Sequence, residues 1–159
     1  MPTDGRAETG VEFVSEEGPV SVHELNELER RLGVELPSDY RSFLLRRNGG
    51  RVHDNDLATP EGEEIGIAVV SFLSLGSEGG DSMDEFLGVY SGRYPEELLP
   101  VAEAAGGNLI LIRVEEGREG EIYFWDHEQE GDEEPVWENL TLLAPSFDQF
   151  MEALVPYVD

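Results

Sequence analysis

The central stretch of the chain, GGNLILIRVEEGREGEIYFW at residues 106–125, has the pattern of a β-hairpin. Leu109-Ile110-Leu111-Ile112 is apolar at every position, which is typical of a strand that is buried on both faces. Residues 115–120 are charged and contain two glycines, and after Glu121 residues 122–125 are again apolar and aromatic. We therefore predict a central strand, a charged turn and a second strand that returns antiparallel to the first.

Two helices are predicted on the N-terminal side of this hairpin. Ser21 and Glu24 have the spacing of a capping box, leucines follow at helical intervals, and Gly33 suits the left-handed residue that ends a helix. The segment Leu36-Pro37-Ser38-Asp39 announces a second helix, which is expected to end at Asn48-Gly49-Gly50.

The remaining segments alternate between short strands, turns and helices. Strands are predicted at residues 65–75 and 98–102, with an edge strand at 136–143. Loops are predicted at 51–64, 77–82 and 128–135. A short helix at 83–90 is expected to turn Phe86 and Val89 inward, and Ser146 is expected to cap a final helix. We expect residues 1–15 to form a flexible N-terminal tail and residues 16–159 to form a single domain.

Charge dominates the composition of the 159-residue chain. It has 36 acidic residues and 10 basic ones, all of them arginine, for a formal net charge of −26. Such a field repels nucleic acids and anionic membranes and attracts basic partners. Adaptation to high salt would also explain the charge, and a GC-rich genome would explain the missing lysine.

No apolar run is long enough to span a membrane, and the first residues lack the pattern of a secretory signal. We therefore expect a cytoplasmic protein without membrane or nucleic-acid partners. Cysteine is absent, which excludes disulfides, thiolate nucleophiles and cysteine-based metal sites.

The charge is unevenly distributed along the chain. Residues 30–51 contain six arginines and two acidic residues, whereas residues 115–138 contain eleven carboxylates and one arginine, Arg118. The contrast favours a specific interaction surface, although solvated faces also carry runs of charge.

Catalytic patterns are missing from the sequence. It contains no nucleophile elbow, no phosphate-binding loop and no dinucleotide fingerprint. His127 beside Asp126 is a candidate dyad, but such a pair at a strand end is more typical of a surface. The oxygen-rich segment Asp54-Asn55-Asp56 does not continue into a calcium-binding loop. We predict no enzyme activity, no cofactor and no dedicated metal site.

Aromatic residues at the end of the hairpin suggest a place for a partner. Strand alternation puts Tyr123 and Trp125 on one face, where they either pack in the core or meet a partner together with His127. Acidic residues follow directly. The predicted partner-binding residues are Tyr123, Trp125, Asp126, His127, Glu128, Glu130 and Asp132.

The order of these blocks resembles the SUKH superfamily. Leu36-Pro37-Ser38-Asp39-Tyr40-Arg41-Ser42-Phe43-Leu44 is similar to its N-terminal signature. Leu99-Pro100-Val101-Ala102 with Gly107-Asn108-Leu109-Ile110 is similar to its second block, and residues 122–128 continue the match. Residues 143–151 resemble its C-terminal helix entry. The family often has Asp where this chain has Asn108.

The resemblance implies an α+β fold, with a twisted, mainly antiparallel sheet packed by N-terminal, central and C-terminal helices. It also implies a protein-binding role, because the superfamily includes bacterial immunity proteins that neutralise nuclease or deaminase toxins. It further includes fungal cell-wall assembly regulators. The leading hypothesis is therefore an immunity protein with a basic toxin as partner. A regulatory scaffold and a small enzyme using Asp126 and His127 are the alternatives.

Overall fold

Pairing of the apolar central segments builds a seven-stranded antiparallel sheet. A computed structural model describes residues 11–14, 18–58, 64–76, 82–129 and 135–156. The strand order within this part of the chain is β6-β5-β4-β3-β2-β1-β7, and every neighbouring pair is antiparallel. The strands are β1 (Gly50–Ala58), β2 (Glu64–Phe72), β3 (Leu98–Ala104), β4 (Asn108–Arg113), β5 (Ile122–Trp125), β6 (Leu140–Ala144) and β7 (Leu154–Pro156). The sheet confirms the predicted β4–β5 hairpin and places β4 in its interior.

Four α-helices accompany the sheet in the described residues, and their ends follow the capping signals of the sequence. They are α1 (Val22–Leu32), α2 (Ser38–Arg46), α3 (Met83–Tyr90) and α4 (Phe147–Ala153). The Ser21 hydroxyl accepts a hydrogen bond from the Glu24 amide while the Glu24 carboxylate accepts one from the Ser21 amide, which completes the capping box. Gly33 ends α1 with a φ of 73°, and Ser146 caps α4.

The helices cover both faces of the sheet. Phe72 lies on the same face as Ile110, and it packs against Phe147 of α4 with ring centroids 6.2 Å apart. Trp125 lies on the opposite face, where Tyr90 of α3 meets it edge-on at 5.9 Å. N-terminal, central and C-terminal helices therefore all pack on the sheet, and the predicted α+β fold is confirmed.

The prediction of a loop at residues 51–64 was wrong, because Gly50–Ala58 forms β1. This strand pairs with β2 on one side and with β7 on the other. Its sequence is largely polar, and Val52 and Leu57 are the buried residues among its described side chains. Backbone pairing with two neighbours stabilises such a strand without the apolar alternation that identifies strands in a sequence.

Two smaller expectations also need correction, at α3 and at the edge strand. Val89 is exposed, because Phe86 and Tyr90 form the inward stripe of α3 and stack at 5.6 Å. Within the segment predicted as a tail, Val11 is buried and Phe13 packs on the core, and residues 1–10 lie outside the described residues. The edge strand begins at Leu140 and not at residue 136. Most of the turn at 77–82 and of the loop at 128–135 lies outside the described residues.

The end of α2 is fixed by Asn48 and Gly49. The buried Asn48 amide donates to the carbonyl oxygens of Gly18 and Leu75 and accepts from the Leu75 amide, at 2.7–2.9 Å. Gly49 has a φ of 71°, and a Cβ atom there would lie 2.5 Å from the Leu73 carbonyl oxygen. This close approach allows the chain to leave α2 and enter β1.

Candidate functional site

A buried arginine organises the charged end of the β4–β5 hairpin. Arg113 is the last residue of β4, and only 11% of its side chain is exposed. Its Nε and Nη2 atoms donate to the same Glu115 oxygen at 2.8 and 2.6 Å, and Nη1 lies 3.2 Å from a Glu121 oxygen. A guanidinium with this little exposure needs carboxylate partners, and the two that flank the hairpin loop supply them.

Tyr123 and Trp137 complete the surroundings of Arg113. The Tyr123 hydroxyl accepts a hydrogen bond from Arg113 at 3.1 Å and donates one to Glu121 at 2.6 Å. The Trp137 ring lies over the guanidinium, 4.8 Å from centroid to carbon, and meets the Tyr123 ring edge-on. We call these five residues the Arg113 cluster: Arg113, Glu115, Glu121, Tyr123 and Trp137.

The cluster shifts the titration of its members. Burial alone would lower the pKa of Arg113, but hydrogen bonds to Glu115 and Tyr123 outweigh it and raise that pKa. The hydrogen bond from Tyr123 lowers the pKa of Glu121 against the effect of burial, and Arg113 and Arg118 lower it further. Burial and the bond to Glu121 raise the pKa of Tyr123. Tyr123 is therefore neutral, and Glu121 is ionised, at neutral pH.

The structure separates the predicted partner-binding residues. Trp125 is fully buried against Tyr90 and Tyr94, and Tyr123 is buried in the Arg113 cluster, so the two are not exposed anchors. The physical reason is that Tyr90 of α3 and Tyr94 after it cover Trp125, whereas Trp137 and Arg113 cover Tyr123. Asp126, His127 and Glu128 follow β5 at the sheet end, half-buried or exposed. Glu130 and Asp132 lie outside the described residues.

His127 is held by the turn between β3 and β4. Its Nε2 atom lies 2.8 Å from the Gly106 carbonyl oxygen, and its backbone amide donates to the Asn108 side chain at 3.0 Å. The Asn108 amide also donates to the Ala105 carbonyl oxygen at 3.3 Å. An aspartate at position 108 could accept the first bond but not donate the second. Asn108 and His127 therefore tie the turn to the end of β5.

The arginine-rich segment is largely paired within the molecule. Arg31 of α1 bonds Asp84 of α3 at 2.7 Å, and Arg41 bonds Asn26 at 2.6 Å and lies 3.6 Å from Glu29. The arginine-rich segment at residues 30–51 thus connects helices. It does not present six free cations to solvent.

An acidic cleft lies between α1, the segment before β3 and the β4–β5 loop. Its volume is about 800 Å³. Its charged lining residues, within the described part of the chain, are Arg30 and the seven glutamates Glu29, Glu35, Glu96, Glu97, Glu115, Glu116 and Glu119. Glu29 and Glu115 bond arginines, as described above. The other five form no ion pair with another described residue, and like charges so arranged produce a strongly negative potential.

The acidic stretch of the sequence therefore does not form one surface. Residues 115–119 precede β5 and enter the cleft, whereas Asp126 and Glu128 follow β5 at the other end of the strand. Four glutamates of the cleft lining were not predicted as site residues, because they come from distant segments and carry no motif: Glu29, Glu35, Glu96 and Glu97. Arg113 did leave a signal, as the only charged residue at the end of an otherwise apolar strand.

Comparison with known proteins identifies the family. The sequence model of the SMI1 / KNR4 family (SUKH-1) matches residues 19–153, which include all four helices described above. The chain belongs to the SUKH-1 family. This confirms the resemblance seen in its sequence blocks.

Two relatives come from Bacillus subtilis strain 168. The SPbeta prophage-derived uncharacterized protein YokK is 30% identical, over 83% of this chain and 73% of its own length. The uncharacterized protein YnaB is 44% identical over a short stretch, 23% of this chain and 25% of its own. Neither name states a binding partner. Membership of the SUKH-1 family therefore gives the fold and the general class of this protein without naming its partner.

A metal-binding cluster and a membrane-spanning helix are both missing from the described residues. There, no three acidic or histidine side chains come together in an arrangement that could hold a metal ion. No helix in the same residues combines the length and apolar character needed to cross a membrane.

Proposed function

We propose that this SUKH-1 protein is an immunity protein that binds a basic toxin domain through the acidic cleft and blocks the toxin's own substrate site. The observation that carries the proposal is a set of five cleft glutamates that form no ion pair within the described part of the chain: Glu35, Glu96, Glu97, Glu116 and Glu119. Nuclease and deaminase toxins must attract nucleic acid, so their substrate faces are basic and complementary to such a cleft.

The mechanism is electrostatic steering followed by steric occlusion. The negative potential of the cleft accelerates encounter with a basic face, and salt weakens this acceleration. The bound protein then covers the surface that the nucleic acid would occupy. This proposal places the protein in the cytoplasm, where such toxins act.

The test uses charge-removal variants with equal net charge. In the cleft variant, four exposed glutamates are changed, Glu35→Gln, Glu96→Gln, Glu116→Gln and Glu119→Gln. The control variant changes four exposed glutamates that do not line the cleft, Glu12→Gln, Glu85→Gln, Glu138→Gln and Glu152→Gln. Both variants lose four negative charges, so a difference between them reports on location.

Each variant is co-expressed with a toxin domain if the neighbouring gene encodes one, and rescue of growth is measured. Binding of the purified proteins is measured at about 50 and about 300 mM salt. The proposal predicts that the cleft variant fails to rescue growth and binds at least tenfold more weakly, while the control rescues. Equal behaviour of the two variants would place the binding surface elsewhere. A neighbouring gene without a toxin domain, or wild-type protein that binds no toxin, would favour the regulatory scaffold.

A further inference from the structure

The acidic cleft continues into a second, apolar cleft. The two clefts share Val34, Glu96 and Val114 in their linings, so they adjoin. The second has a volume of about 430 Å³ and lies between the end of α1, the end of α3 and β3. Together they form one groove that is charged at one end and apolar at the other.

The apolar end is accessible to a partner. Leu32, Val34 and Leu87 line it and are only partly buried, although each packs against the hydrophobic core. Tyr94 and Leu98 form the buried part of its lining. A volume of this size is within the range of sites that enclose small ligands or single large side chains.

We propose that the apolar cleft receives one large apolar side chain of the partner, and that arginine or lysine residues next to that side chain lie in the acidic cleft. The inference rests on the proposed function and adds the chemistry of the segment that is recognised. The carboxylates alone would give fast but weak association, because exposed ion pairs contribute little free energy. A buried apolar anchor beside them provides the affinity.

Charge complementarity selects this occupant over a second copy of the chain. A second copy carries a net charge of −26, and its approach to the cleft is opposed by the five glutamates that lack an ion pair among the described residues. Like charges brought together at an interface oppose association and would offset what one good anchor contributes. A basic segment of a partner would instead be attracted to the glutamates of the cleft.

The first test fills the apolar cleft without removing core contacts. Ser91 is exposed, follows α3 and lines the apolar cleft but not the acidic one. Ser91→Trp should weaken toxin binding at least tenfold while leaving its salt dependence unchanged. The control is Ser42→Trp, at an exposed position of α2 that lines neither cleft. Thermal unfolding must show that both variants fold.

The second test needs no toxin. The ¹⁵N-labelled protein is titrated with the peptide acetyl-Arg-Arg-Trp-Arg-Arg-amide, and with the same peptide carrying serine in place of tryptophan. The tryptophan peptide should shift the amide resonances of Ser91, Gly92 and Glu96 and bind at least fivefold more tightly than the serine peptide. Equal affinities, or shifts confined to the acidic cleft, would overturn the inference.

The two proposals fail in different ways. If the toxin binds in a salt-dependent manner and Ser91→Trp behaves like Ser42→Trp, the apolar anchor is refuted while the immunity function stands. If wild-type protein binds no toxin, the immunity function fails, and the peptide titration still decides whether the groove recognises an apolar residue between basic ones.

Discussion

Replacement of Arg113 by methionine tests whether the Arg113 cluster is a structural support of the acidic cleft. Methionine keeps a flexible stem of similar length under the Trp137 ring but removes the cation and its donors. The Glu115 and Glu121 side chains, 40% and 23% exposed, would then lose their charge partner. Removal of one member of a buried ion pair costs about 3–5 kcal/mol, and this partial exposure reduces the expected cost to about 2–3 kcal/mol.

The assay is urea unfolding followed by circular dichroism, with thermal unfolding as a second measurement. For a chain of this size the expected loss lowers the melting temperature by about 4–12 °C. Arg118→Met is the control, because that side chain is 56% exposed and makes a 3.4 Å contact with Glu121. Its loss should stay below about 1 kcal/mol.

A double-mutant cycle that combines Arg113→Met with Tyr123→Phe tests whether the contacts within the Arg113 cluster are cooperative. Tyr123 accepts from Arg113 and donates to Glu121, so the double variant should lose less than the sum of the single variants. If Arg113→Met and Arg118→Met lose the same free energy, or if the Tyr123 and Arg113 losses add, the cluster is not a cooperative support and the reasoning is refuted.

Three further predictions concern the fold and its charge. Gly49→Ala should cost more than about 3 kcal/mol in urea unfolding, because its Cβ would meet the Leu73 carbonyl oxygen, whereas Gly33→Ala has the same sign of φ and open space and should cost about 1–2 kcal/mol. Glu121→Gln should flatten the loss of stability, measured by urea unfolding, as the pH falls below about 4.5. The lowered pKa of Glu121 stabilises the native state above its unfolded value of 4.5, and this stabilisation is lost as the pH falls through the folded value. Salt should raise the melting temperature of the wild-type protein, because 36 acidic residues face 10 basic ones; a melting temperature that falls with salt would contradict this.

Some helices and strands could be predicted because their signals lie within a few neighbouring residues of the sequence. The ends of α1 could be read from Ser21, Glu24 and Gly33, because capping is chemistry between residues a few positions apart. Strand β4 could be read from its unbroken apolar run, since a strand inside a sheet is covered on both faces. Strand β1 could not, because it lacks apolar alternation and is stabilised by backbone pairing with β2 and with β7, which lies about a hundred residues later in the chain.

The candidate site was predictable only in part, for a related reason. Net charge and family resemblance pointed to a binding protein, and both are properties of the chain as a whole. The position of the cleft depends on which distant segments meet, and Glu35, Glu96 and Glu116 come from three of them. The sequence left open whether Trp125 packs in the core or meets a partner, because strand alternation shows which face a side chain takes but not whether a helix covers that face.

The distribution of paired charges determines how the net charge can act. A partner senses carboxylates within about 8 Å at physiological salt, so the total of −26 matters less than the local arrangement. Arg31, Arg41 and Arg113 neutralise carboxylates between helices and at the hairpin, while five glutamates that form no ion pair with another described residue lie together in the cleft. Adaptation to high salt has no reason to favour one surface. It therefore predicts equal losses for the cleft and control variants, whereas a binding cleft predicts a loss for the cleft variant alone.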